Sequence, residues 1–140
     1  ARAYLFLGPI EAALCLGGFF FSYWLSGWRP GMDMAASGAV YATATTMSLA
    51  GIVASQIGNV FACRTERESV FIAGFFKNRF VLFAVAAEIA LLLMLIYTPV
   101  FQRVFGLAPL SASHWLILAA FPVALLFMEE ARKFAVRRFF

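Results

Sequence analysis

Residues 45–71 read TTMSLAGIVASQIGNVFACRTERESVF, a long apolar run that ends in a charged segment. On a helical wheel of about 100° per residue, Thr45, Ser48, Ser55, Gln56 and Asn59 fall within one arc of roughly 100°. Ile52 is the one apolar residue inside that arc. Ala50, Ala54, Gly58 and Ala62 form a second row at four-residue spacing, the arrangement that lets a neighbouring helix backbone approach closely in a bilayer. The stretch therefore predicts a membrane helix with a packing face and a polar face. Amides and hydroxyls in hydrocarbon need partners, so the polar face is expected to meet other polar groups, water or an ion.

Composition extends this reading to the whole chain. With 64% hydrophobic and 13% charged residues in 140, the sequence lies far from an average soluble domain, and so short a soluble chain could not hide that much apolar surface. Working outward, residues 4–25 form a first apolar run, YLFLGPIEAALCLGGFFFSYWL, long enough to span about 30 Å of hydrocarbon as a helix. Pro9 fits a first turn or a mild kink, and Tyr23, Trp24 and Trp28 fit an interfacial aromatic belt. Glu11 interrupts the run, no small-residue cleavage site follows and no initiator Met precedes, so it reads as a retained helix in an excised fragment rather than a signal peptide. Further spans are expected at about 39–62, 80–97 and 113–128. Residues 26–37 form a turn-rich loop, Pro99 stops the third helix and Pro122 kinks the fourth. The SVFIAGFF piece at residues 69–76 is expected to lie along the interface.

The fold expected is all-α: an integral membrane bundle of four transmembrane helices in one domain. Its orientation follows from the basic residues. Arg2, Arg64, Arg67, Lys77, Arg79, Arg132, Lys133, Arg137 and Arg138 belong to the termini and the central loop, and of the 11 Lys and Arg only Arg29 and Arg103 lie on the other side. That bias places both termini in the cytoplasm. The net charge of +4 clusters beside apolar runs, which fits lipid headgroups as partners and not nucleic acid. Cys15 is expected within the bilayer and Cys63 at its cytoplasmic edge, with no disulfide between them.

The available chemistry is narrow. A single His without a zinc-spaced cluster argues against a structural metal, and the sequence has no G-x-S-x-G turn, phosphate loop or dinucleotide fingerprint. What remains are polar groups inside the membrane. Gln56 and Asn59, three residues apart, can aim both side-chain oxygens at one site, either as cation ligands or as interhelical glue. Glu88, flanked by AVAA and IALLL, is either a protonatable or cation-coordinating group or a protonated carboxyl that ties helices together. Glu11 is either functional or the partner of a polar group on the second or fourth helix. His114 and Trp115 read as interfacial anchors, and Glu129 and Glu130 as exposed helical pairs with Arg132 and Lys133. Arg64, Glu66, Arg67 and Glu68 read as a solvated loop that could dock a cytoplasmic domain.

Residues 56–71, QIGNVFACRTERESVF, resemble the eighth transmembrane helix and following loop of type II P-type cation-transporting ATPases, where Q-x-x-D/N precedes C-K/R-T and S-V-F. LGGFF at residues 16–20 is similar to the seventh helix, EIALLLMLIYTP at 88–99 to the ninth and MEEARKFAVRR at 128–138 to the tenth. The resemblance implies the C-terminal four helices of a calcium or monovalent-cation pump in the plasma membrane. Their partners would be lipid, the transported cation and the remaining helices and cytoplasmic domains of the parent. It assigns Gln56, Asn59 and Glu88 to the candidate cation site, whereas calcium pumps of the reticular type carry a carboxylate where Gln56 stands. The fragment would carry no cofactor and no catalysis of its own, while the parent would use ATP and Mg. Two other classes fit the length: a four-helix proton-coupled exporter working through Glu11, and a structural membrane subunit.

Overall fold

The structure, a computed structural model, describes residues 2–62 and 78–139. The expected interfacial piece at 69–76, Cys63 and the charged residues from Arg64 to Lys77 lie outside the described residues. The described chain folds into four long helices and one short one: α1 (Arg2–Leu25), α2 (Gly38–Ala62), α3 (Arg79–Tyr97), α4 (Pro99–Phe105) and α5 (Ala112–Phe139). The long four are long and apolar enough to cross a membrane, so the four-span bundle stands.

Two local expectations change. The stretch after Pro99, expected to be a loop, begins with α4. Thr98 donates its N–H to Met94 O to close α3, and its own carbonyl accepts from Gln102 N to open α4. Pro99 at the first helical turn supplies the required φ, and Gly106 ends α4 with φ 65°, a left-handed value that suits glycine. The fourth span is also longer than the expected 113–128, because α5 runs on to Phe139. Charge at residues 129–138 marks where a helix leaves hydrocarbon and not where it stops. Here Arg132 Nε donates to Glu129 Oε2 at 2.8 Å, an i,i+3 pair that supports continued helix.

α2 is the hub, packed against α1, α3 and α5. Met47 and Ala50 of α2 meet Leu92 and Ile96 of α3 and Leu118 and Phe121 of α5, with Leu110 closing that end. Glycine makes the closest approaches possible. A Cβ on Gly58 would stand 2.8 Å from Pro122 Cα, so α2 and α5 touch there backbone to backbone. Phe121 fills a notch between α1 and α2, its ring 3.2 Å from where a Cβ on Gly18 would lie and 3.0 Å from one on Gly51. The link between α4 and α5 is tied to α2 as well, since Ala108 N donates to Thr46 Oγ1 at 2.9 Å.

Candidate cation site

The polar stripe of α2 faces α1. Asn59 Nδ2 donates to Glu11 Oε2 at 2.9 Å and Gln56 Nε2 donates to Glu11 Oε1 at 3.2 Å. Three features of the sequence produce this. Leu7, Glu11, Gly18 and Ser22 share one face of α1, of which Leu7, Gly18 and Ser22 are buried. Gln56 and Asn59 are one helical turn apart, so both amides reach one carboxylate. α1 and α2 run antiparallel, which brings the N-terminal half of one beside the C-terminal half of the other. A carboxylate that accepts two N–H bonds at membrane depth is stabilised without a full counter-charge.

One turn away, Ser55 is fully buried. Its Oγ, together with Asn59 Oδ1, is a buried oxygen that makes no hydrogen bond among the described residues. The Cys15 thiol, half-buried and free, faces Ser55 and stands one turn along α1 from Glu11. It also packs 3.5 Å from where a Cβ on Gly51 would stand.

Of the candidate residues, Gln56 and Asn59 are brought together, and the carboxylate joined to them is Glu11 of α1. Glu88 is half-buried on α3, on the stripe that carries Leu92 and Ile96 toward α2. It is not among the groups joined to Gln56 and Asn59, whose carboxylate partner comes from α1.

Two groups of polar residues sit differently from the sequence expectation. His114 is buried and not an interfacial anchor: its Nε2 lies 3.1 Å from Ser22 Oγ and its Nδ1 2.7 Å from Ser111 Oγ, which joins α5 to α1. The Ser111 N–H also points at Nδ1, so Nδ1 accepts and Nε2 carries the proton. Glu129 and Lys133 are likewise buried and not solvated. Lys133 Nζ donates to Ala62 O at 2.9 Å, capping the C-terminal carbonyl end of α2 where a positive charge is favoured. Composition signals neither, because His beside Trp and charges at a span end are the usual marks of an interface. The polar stripe was the one signal for Glu11: it required a partner, and an interrupted apolar run supplied one.

Comparison with known proteins bears on the chain as a whole. The sequence model for the family described as "Cation transporting ATPase, C-terminus" matches residues 1–135. The chain is 30% identical over 132 residues to calcium-transporting ATPase type 2C member 2 of Mus musculus, covering 94% of this chain and 13% of that protein. It is 36% identical over 101 residues to calcium-transporting ATPase 1 of Schizosaccharomyces pombe, covering 72% of this chain and 11% of that protein. Potassium-transporting ATPase alpha chain 1 of Xenopus laevis is 35% identical over 83 residues, 59% of this chain and 8% of its own length. The chain therefore spans about an eighth of the first of these relatives. With four apolar helices in sequence and a family match over nearly all of its length, the chain belongs to the cation-transporting P-type ATPases, as their C-terminal membrane region.

Proposed function

We propose that these helices are the C-terminal part of the transport domain of an ATP-driven pump and line one side of its cation path through Gln56 and Asn59. The observation that carries this is the convergence of both amides on one half-buried carboxylate. Ile52, Gln56 and Val60, at four-residue spacing, also form an exposed stripe beside that cluster. Such a face, apolar but for one amide, suits the earlier helices of the parent, which would complete the cation's shell. Glu88 offers a second carboxylate to the same path from the α3 side.

On this reading residues 1–140 are one membrane domain, placed with both termini on the cytoplasmic side of the plasma membrane. Phosphorylation from ATP with Mg belongs to the rest of the parent, whose phosphorylated Asp and nucleotide domain are not in this sequence. The relatives are named for calcium and for potassium, and one measurement separates the two. ATP-dependent uptake of sodium, potassium and calcium into vesicles is followed with the full-length parent, wild type against Gln56→Ala and Asn59→Ala. The expected result is a roughly tenfold or greater loss of apparent affinity for one ion, equivalent to about 1.4 kcal/mol, at unchanged protein level. Unchanged uptake in both variants would show the stripe to be structural glue.

A further inference from the structure

Neither Glu11 nor Ser55 is among the residues that the family resemblance assigns to a cation, yet both line the seam between α1 and α2, Glu11 against Asn59 and Ser55, one turn away, against Cys15. Glu11, half-buried on the face of α1 that carries Leu7, Gly18 and Ser22, directs its two oxygens at α2. On α2, Asn59 Oδ1 and Ser55 Oγ are buried without a hydrogen bond among the described residues, the soft Cys15 thiol being the polar group nearest in register to Ser55. They are four residues apart, one turn along the same face of α2. An unpaired buried oxygen keeps the full penalty of its lost hydration, and lipid chains offer it no donor. Two such oxygens within a turn, beside a carboxylate, call for a positively charged ligand that all three can share.

We propose that α1 and α2 form a cation seat of their own, in which Glu11 supplies the negative charge and Ser55 Oγ and Asn59 Oδ1 supply neutral oxygens, and that it takes one monovalent alkali cation. This deepens the pump reading and rests on it. Charge sets the class of ion. One carboxylate balances one positive charge, whereas a divalent ion in the same seat would leave an uncompensated charge between apolar helices. Oxygen donors suit a hard cation, so the Cys15 thiol, a soft ligand, serves as wall and not as ligand.

The test is equilibrium binding of radiolabelled sodium, rubidium (in place of potassium) and calcium to the purified full-length parent, with cation-stimulated ATP hydrolysis measured on the same samples. Glu11→Gln is expected to lose one monovalent ion per molecule, and Ser55→Ala to weaken that ion several-fold. Glu11→Asp, which keeps the charge, should retain the ion at reduced affinity and so separates loss of charge from failure to fold. Asn59→Asp adds a second negative charge and should gain calcium binding at the expense of the monovalent ion. Monovalent binding unchanged in Glu11→Gln overturns the proposal. So does loss of calcium in its place, or a wild type whose bound ions are indifferent to Ser55 and Asn59, which would make the unpaired oxygens the seat of a bridging water only. Wild-type hydrolysis that no cation stimulates, with Glu11-dependent monovalent binding intact, would instead overturn the pump reading and leave the seat standing.

Discussion

Lys133 shows how one side chain can be misplaced by its own chemistry. A lysine just past an apolar run reads as a solvated charge, yet its ammonium is buried against Ala62 O and lies 3.3 Å from Glu130 Oε1. The sequence carries the charge and the helical spacing, but not the fact that α2 ends where this turn of α5 passes. Lys133→Met keeps much of the volume and removes the donor, leaving the last carbonyl of α2 short of a partner. The variant is expected to destabilise the parent by roughly 1–3 kcal/mol. Thermal inactivation of the purified parent reads this, and an unchanged midpoint would deny the contact any structural weight. Glu11 is the opposite case. Its helix and its need for a polar partner were legible, and only the choice of partner awaited the fold.

Among elements, the four spans were legible because length and hydrophobicity alone define them in a bilayer. The small-residue row of α2 was legible in part. Gly58 lies in that row and meets Pro122, but Gly51, which receives Phe121, lies outside it. Which small residue carries the contact depends on the crossing angle between helices, and no single helix encodes that. The two glycines should respond differently to a methyl group. At Gly58 the added Cβ would stand 2.8 Å from backbone, which cannot swing aside, so Gly58→Ala should force α2 and α5 apart at a cost of about 1–3 kcal/mol. At Gly51 the 3.0 Å neighbour is a ring atom of Phe121, which a small rotation relieves. Gly58→Ala is therefore expected to lower the unfolding temperature of the parent more than Gly51→Ala, and the reverse order would refute the backbone contact.

For the whole molecule, α3 is the least enclosed of the long helices, with Phe80 87% and Phe83 77% exposed. Such rings suit lipid or the parent's other helices, and the sequence leaves the choice open because both partners are apolar. Orientation is the property that basic residues do encode. On the proposed orientation, with both termini cytoplasmic, a cysteine introduced as Asp33→Cys into a parent freed of other thiols should react with a membrane-impermeant maleimide added outside cells. Arg137→Cys should react only after permeabilisation. The opposite pattern would invert the bundle and move the 63–77 segment away from the nucleotide-binding side.

The seating of Phe121 between Gly18 and Gly51 has a mechanical consequence. One ring from α5 acts as a spacer between α1 and α2, two turns along from Glu11 and about two turns from Asn59. It fixes the gap between those helices much as a shim fixes the jaws of a clamp. The separation of the carboxylate from its two amides is thus gauged by an apolar residue that touches none of them, and the clamp's opening can be reset without altering a single polar group.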